Sequence, residues 1–229
     1  MKFFNEKYSP LTDSVYFLKA RLGDIVAEFL QWQKPLEINE NRELQKTELT
    51  GDLEANLLQL LPISVTEIRR FLFLKTTNGW TAMISNTILG TDGAAPSVVS
   101  ERLRCELVRA TIVPDATMFE YANPLATTAD AKFRYVYAMK EGKWEFHQHG
   151  PPLDFEDLAR YENERMIKNK LDASLLIKYL MNLGIDYNTK TYYQPDSNIK
   201  GILISKEGPM YSNDKALTLQ AAQNYYNQQ

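Results

Sequence analysis

Two histidines and a glutamate at alternate positions form the sharpest chemical pattern in this sequence. Glu145, His147 and His149 fall in a predicted β-strand, and alternate residues of a strand project from the same face. Two imidazoles and a carboxylate are suitable ligands for a divalent metal ion. The chain has 2 histidines, so a catalytic base of the histidine type would have to be His147 or His149.

The same three residues are also typical of the solvent-facing end of a strand, and we favour this interpretation. Same-face neighbours on a strand lie about 6.5 to 7 Å apart at the backbone, so both rings would have to lean inward to share a metal ion. A further ligand would have to come from another strand or loop, and the sequence indicates none. We therefore expect no catalytic residue, no metal site and no cofactor, and we assign these three side chains to a binding surface.

A polar loop at residues 86–93 is the second candidate site. It follows a predicted strand, precedes a predicted helix and carries two glycines, so its backbone N–H groups could face an anion at the start of the helix. Asn86, Thr91 and Asp92 would be the contacting side chains. The loop contains no lysine, and a connection whose glycines satisfy backbone geometry is the simpler interpretation.

The single cysteine, Cys105, lies between a predicted helix and a predicted strand. A histidine beside it would lower its pKa and make it a nucleophile, but a lone cysteine at such a junction is typical of small packing residues. One cysteine allows no intramolecular disulfide, which favours a reducing compartment. The common sequence motifs of hydrolases, metalloproteases and nucleotide-binding proteins are also missing.

Charge and hydropathy limit the classes of partner. The chain has 26 Lys and Arg against 29 Asp and Glu, and this weakly negative balance gives no general reason to expect nucleic acid or anionic lipid. No apolar stretch approaches the ~18 residues of a membrane span, and the first residues lack the features of a secretory signal. We expect a cytoplasmic protein that binds no membrane.

The elements that would position the candidate residues begin with a long helix. Apolar residues near the N-terminus recur at steps of three and four, which is the spacing of one helix face. Asp13 is predicted to cap this helix and Pro35 to end it. The apolar stripe consists of Val15, Leu18, Leu22, Ile25, Phe29 and Trp32.

The middle of the chain changes to the pattern of a sheet. Asn78-Gly79 separates two β-rich runs and predicts a tight hairpin turn between them. A polar edge strand is predicted over residues 42–50, and short helices are predicted to follow Asp52 and Asp172. The main β-rich runs cover residues 68–75, 80–85, 107–113 and 118–121.

A second hairpin is predicted from alternating aromatic residues. Phe133, Tyr135 and Tyr137 share one face of a strand, and Trp144 and Phe146 lie on the strand that returns after a Glu-Gly turn. Cross-strand aromatic pairs stabilise a sheet. We therefore expect these residues to form a wall of the core.

Together the runs predict an α+β fold with a central, mainly antiparallel sheet and flanking helices, and with the long N-terminal helix packed on the sheet. We expect a single α+β domain over residues 1–229. Within it, an alternative interpretation of the Tyr- and Asn-rich residues 185–229 is a C-terminal extension that packs on the rest of the domain.

Short segments spread over the middle two-thirds of the chain resemble a pattern found in uncharacterised bacterial cytosolic proteins. The resemblance implies a bacterial origin and names no activity, although some small proteins of this kind are immunity proteins that neutralise a toxin by binding it. The segments are Asn78-Gly79-Trp80-Thr81-Ala82, Asn86, Gly90-Thr91-Asp92, Trp144-Glu145-Phe146, Gly150-Pro151, Phe155-Glu156, Tyr179-Leu180 and Leu183-Gly184-Ile185.

Two functional hypotheses follow. The first is a non-catalytic protein that binds a protein partner of unknown identity, and an immunity-type protein that neutralises a bacterial toxin is one form of this hypothesis. It is favoured by the missing catalytic motifs and by the 13 tyrosines and 3 tryptophans, residue types that anchor interfaces, although many of them must lie in the core. The alternative is a hydrolase or metal-dependent enzyme that uses His147 and His149.

Overall fold

The computed structural model describes residues 7–193 and 197–226. Within these ranges the protein is α+β, and nine strands form one antiparallel sheet in the order β2-β10-β4-β5-β1-β6-β7-β8-β9. The predicted fold class is confirmed. The strands of this sheet are β1 (Ser14–Leu18), β2 (Glu43–Leu49), β4 (Arg70–Lys75), β5 (Thr81–Ser85), β6 (Leu107–Val113), β7 (Ala116–Ala122), β8 (Phe133–Glu141), β9 (Lys143–His149) and β10 (Gly201–Glu207).

The remaining elements are helices and a small second sheet. β3 (Ile63–Ser64) pairs with β11 (Ala216–Leu217). The helices are α1 (Leu22–Asn39), α2 (Leu53–Leu58), α3 (Ala94–Leu103), α4 (Leu158–Asn163), α5 (Ile167–Lys170), α6 (Ala173–Asn182) and α7 (Leu219–Tyr226). β10, which comes from residues 185–229, lies between β2 and β4 in the main sheet.

Several local predictions are confirmed. β4 and β5 form the predicted hairpin, and Gly79 in its turn has a φ of 88°, a conformation that glycine adopts without steric cost. β8 and β9 form the second hairpin. The predicted edge strand is β2, at one end of the sheet. Asp52 accepts a hydrogen bond from the N–H of Ala55 and so caps α2.

The start of the chain differs from the prediction. Ser14–Leu18 is not the first turns of a helix but a central strand between β5 and β6. All five of its residues are buried, because a central strand with both faces covered has a continuous run of buried side chains. The three-residue spacing of Val15 and Leu18, which predicted a helix, therefore has no structural meaning here. The prediction that Asp13 caps α1 is also wrong, since the helix begins at Leu22.

The predicted stop at Pro35 is wrong as well. α1 continues through Pro35 to Asn39, although an internal proline costs a helix about 3 kcal/mol. Tertiary contacts hold the turn beyond it. The carboxylate of Glu37 lies 2.8 Å from the Nζ of Lys206, and its carbonyl accepts a 2.8 Å hydrogen bond from the N–H of Arg42.

The two faces of the sheet are covered to different extents. On one face, here called the α1 face, α1 packs on β2, β4 and β10, and α3 packs on β1 and β6. On the opposite face, here called the α6 face, α6 packs on β7 and α5 on β8 and β9. Aromatic contacts join this second layer to the sheet, with Phe119 5.8 Å from Tyr179 and Phe146 5.1 Å from Tyr161 between ring centroids.

The aromatic residues of the β8–β9 hairpin point to opposite faces. Arg134, Val136 and Ala138 are the buried residues of β8 and face α6, so the alternating Phe133, Tyr135 and Tyr137 lie on the α1 face. There they are partly exposed, Phe133 by 39%. The expectation of a core wall is therefore wrong for Phe133, Tyr135 and Tyr137, whereas Trp144 and Phe146 pack against the core on the α6 face.

A buried ion pair explains this orientation of β8. The side chains of Arg134 and Glu156 are 3% and 0% exposed, and they meet at 2.6 Å between Nη2 and Oε2. Arg134 also donates to the carbonyls of His149 and Gly150. Glu156 accepts from the N–H of Leu153. The pair thus ties β8 to the end of β9 and to the segment that leads into α4.

We predict that Phe29→Ala lowers the free energy of unfolding by about 3 to 5 kcal/mol, because truncation of a buried aromatic ring leaves a cavity. Phe29 is 0% exposed and lies 4.7 Å from Phe71 and 5.2 Å from Phe73 between ring centroids. Denaturant unfolding provides the measurement. Ile38→Ala on the same helix is the matched control, since Ile38 is 62% exposed, and an equal loss in both variants would contradict the prediction.

A second prediction concerns Asp13, which is buried before β1 and whose carboxylate accepts a hydrogen bond from Ser9. Burial raises the pKa of Asp13 from 3.8 to about 6. The folded state therefore binds this proton more tightly than the unfolded state. The resulting stabilisation is fully present below about pH 3.8 and is lost as the pH rises through about 6.

Asp13→Asn cannot ionise, so we expect it to exceed the wild type in stability above pH 6 and to match it near pH 4. The difference should be on the order of 3 kcal/mol, from about 1.36 kcal/mol per pKa unit. Chemical denaturation at both pH values measures it. If the difference in the free energy of unfolding between the wild type and Asp13→Asn is the same at both pH values, the predicted rise in the pKa of Asp13 is wrong.

Candidate functional site

The structure uses the predicted loop residue Asn86 to hold backbone. Its Oδ1 accepts hydrogen bonds from the N–H groups of Arg69 and Arg70 at 2.9 and 2.8 Å. Its Nδ2 donates to the carbonyl of Pro62 at 2.8 Å and to Ser64. Both ends of the amide are thus engaged in joining β3 to the start of β4.

Thr91 and Asp92 have similar backbone partners. The hydroxyl of Thr91 accepts a 2.8 Å hydrogen bond from the N–H of Ser85, and the Oδ1 of Asp92 accepts a 2.6 Å bond from the N–H of Ala94 at the start of α3. Thr91 is buried and Asp92 is exposed. These contacts fix the path from β5 into α3.

Glu145, His147 and His149 lie on one face of β9, as their spacing predicts. They pair with Met139, Tyr137 and Tyr135 of β8. The ring of His147 lies 3.2 Å from the carboxylate of Glu145. The ring of His149 instead stacks on Tyr135 at 5.4 Å between centroids. The three side chains therefore do not converge on one point.

The two predicted groups of site residues are not brought together. Asn86 follows β5, and five strand spacings of about 4.8 Å separate β5 from β9, or about 24 Å along the sheet. Among residues 7–193 and 197–226, no cluster of three or more His, Cys, Asp or Glu side chains is arranged to hold a metal ion. Cys105 is buried beside α3, and burial raises its pKa to about 11.

Sequence reasoning missed the surface that surrounds the β9 residues. The α1 face extends past α3 onto β7, β8 and β9, where the outward side chains remain partly exposed. We call this surface the open patch. It consists of Met118 and Glu120 on β7, Phe133, Tyr135, Tyr137 and Met139 on β8, and Glu145, His147 and His149 on β9.

Stacked rings form the centre of the open patch. Tyr135 stacks on Tyr137 with 4.7 Å between centroids and an angle of 18° between planes. Phe133 meets Tyr135 edge-on at 5.9 Å, and His149 stacks on it from β9. Each ring thus limits the rotation of its neighbour, so the aromatic surface is ordered before any partner binds.

A satisfied polar network lies beneath the rings. The carboxylate of Glu120 accepts a 2.6 Å hydrogen bond from the hydroxyl of Tyr137 and a 3.1 Å bond from Arg109. Arg109 also donates to Ser14 at 3.0 Å and lies over the ring of Tyr16. Burial and the hydrogen bond to Glu120 raise the pKa of Tyr137, so its hydroxyl remains a donor at neutral pH.

A shallow cleft of about 140 Å³ lies where the open patch meets α3. Phe133 and Ala122 form one side, and Gly93 and Ser97 of the α3 region form the other. Typical small-molecule sites have volumes of about 300 to 1,000 Å³. The cleft has room for a single side chain rather than for a cofactor.

We predict that protein purified without an affinity tag or a chelator carries no tightly bound zinc or iron, because the ring of His149 packs on Tyr135 while His147 pairs with Glu145. Elemental analysis of the purified chain is the measurement. One metal ion per chain that is lost in both His147→Ala and His149→Ala would show instead that these residues are ligands.

Comparison with known proteins finds no matching family model, no matching curated protein and no matching solved structure. Among the described residues, no helix is both long and apolar enough to span a membrane. We therefore infer the function from the geometry of the open patch.

Proposed function

We propose that this chain is a non-catalytic protein that binds another protein through the open patch. The observation that carries the proposal is the row of partly exposed aromatic residues on a sheet face that α1 and α3 cover elsewhere. Apolar surface left open at the end of an otherwise covered face is the usual mark of an interaction site.

The composition of the open patch supports a protein as the ligand. Tyrosine, phenylalanine and methionine are enriched in protein interfaces, and tyrosine is a common hot-spot residue. Met118 and Met139 add flexible, polarisable side chains that adapt to a partner. The shallow relief of the patch also suits a protein surface better than a small molecule.

Charge defines the partner more closely. Arg109 and Glu120 neutralise each other beneath the rings, so the centre of the patch has no unpaired charge to be buried. A complementary surface is therefore uncharged at its centre, because a partner charge placed there would lose water without gaining an ion pair. We propose a folded partner that presents apolar side chains, one of which enters the cleft beside α3.

The immunity-type role is the specific form of this proposal. A bacterial toxin is the partner class that the sequence resemblance suggests, and occlusion of its active surface by the open patch would require no catalysis. A reducing, cytoplasmic setting agrees with a chain that has 1 cysteine.

The ordered rings favour affinity. Binding normally costs about 0.5 to 1.5 kcal/mol for each flexible side chain that becomes fixed. Tyr135 is already held between Tyr137, Phe133 and His149, so little of this cost remains. We expect Tyr135 to contribute more to binding than any other residue of the patch.

The fourth prediction tests this. A partner captured from native lysate by the wild type and then purified should bind Tyr135→Ala at least about 30-fold more weakly, which corresponds to the ~2 kcal/mol of a hot spot. Calorimetric titration of the purified proteins is the measurement, and thermal unfolding confirms that the variant is folded.

Tyr225→Ala is the matched control, since Tyr225 is an exposed tyrosine on α7 and should bind like the wild type. Equal affinity of Tyr135→Ala and the wild type would refute the open patch as the interface. Failure of the wild type to retain any protein in stoichiometric amount would refute the binding function itself.

A further inference from the structure

The outer edge of β9 is the end of the nine-stranded sheet. In an antiparallel sheet, the N–H and C=O of one residue point to the same side, and those of the next residue to the other side. The N–H of Lys140 donates to Asp115 beside β7, and the carbonyl of Lys132 accepts from Asn123. Even-numbered residues of β8 therefore bond towards β7 and odd-numbered residues towards β9.

This alternation continues into β9. Tyr135 and Tyr137 bond towards β9, where they are paired with His149 and His147, so the odd-numbered residues of β9 bond back to β8. The N–H and C=O groups of Trp144, Phe146 and Gln148 consequently point away from the sheet. None of these groups has a hydrogen-bond partner beyond β9 among the described residues.

We propose that β9 pairs in antiparallel orientation with β9 of a second copy, about a two-fold axis at Phe146. The three outward residues of each copy then exchange backbone hydrogen bonds with the three of the other. An unpaired edge strand is a template for such pairing, and a two-fold contact of a surface with itself is the commonest form of closed assembly.

The side chains favour this register over those in which the two-fold axis lies one residue away, at Glu145 or at His147. With the axis at Phe146, Glu145 lies opposite His147 of the second copy, twice in the dimer. These are non-hydrogen-bonded positions, in which the Cα atoms approach to about 4.5 Å. The Glu145–His147 pair of each chain therefore lies against the same pair of the other chain, with a carboxylate opposite each imidazole. An axis at Glu145 would place two carboxylates opposite each other, which is destabilising. An axis at His147 would place two imidazoles opposite each other.

The pairing has a consequence for the open patch. The two sheets become continuous across the axis, and the two open patches lie on the same side of the joined sheet. On the α6 face, the two Phe146 rings meet at the axis, where each already contacts Tyr161 of its own chain. The dimer would present two partner sites side by side. The pairing of the two β9 strands does not depend on which protein binds the open patch.

Sedimentation velocity of the full, untagged chain over a range of concentrations tests the proposal and provides the fifth prediction. We expect a monomer–dimer equilibrium. His147→Glu places like charges opposite each other twice and should raise the dissociation constant at least about tenfold. The charge-exchanged double variant Glu145→Lys/His147→Glu should restore it. Glu48→Lys on β2, the other edge of the sheet, is the control and should dimerise like the wild type.

Cross-linking tests the register. In a Cys105→Ala background, Glu145→Cys and His147→Cys chains should form a disulfide when they are mixed and neither should do so alone. A cross-link within either variant alone would overturn the axis at Phe146. A monomer at every concentration, or a dimer that His147→Glu leaves unchanged, would overturn the pairing itself.

Discussion

The buried pair of Arg134 and Glu156 determines the character of the whole β8–β9 end of the molecule. A strand has two faces, and a slip of one residue would exchange them. Arg134 can be buried only where a carboxylate and carbonyl acceptors meet its guanidinium, and the α6 face supplies these through Glu156, His149 and Gly150. Loss of one partner from such a pair typically costs about 3 to 5 kcal/mol. The pair therefore holds β8 in one orientation.

The open patch follows from that orientation. With Arg134 turned towards α6, the alternate residues Tyr135 and Tyr137 must point to the α1 face. That face is covered by α1 and α3 as far as β6, and the sheet continues for three more strands. The buried Arg134–Glu156 pair thus leads to a partly exposed aromatic surface. The same alternation directs the backbone N–H and C=O groups of Trp144, Phe146 and Gln148 away from the sheet at the outer edge of β9.

Local sequence signals predicted the fold class, both hairpins and the caps of short helices, because turn residues and caps act within a few positions. They failed for Ser14–Leu18, whose helical spacing is accidental and whose central place in the sheet depends on β5 and β6 far along the chain. Glu145, His147 and His149 were correctly placed on one face. The sequence did not indicate that Tyr135, on which His149 stacks, lies on the more open face of β8. Arg134, next to it in the alternation, is of a residue type that usually faces solvent, whereas here it is buried.

The uneven coverage of the sheet also bears on how binding and stability are linked. All residues of the central strands β1 and β5 are buried, whereas β8 and β9 have a packed layer on the α6 face alone. The local opening of β8 and β9 therefore depends on that layer and on the Arg134–Glu156 pair. A partner that binds only the closed hairpin stabilises it according to its concentration relative to the dissociation constant. Binding at the open patch would therefore protect β8 and β9 more than the central strands, whose opening already requires loss of both layers.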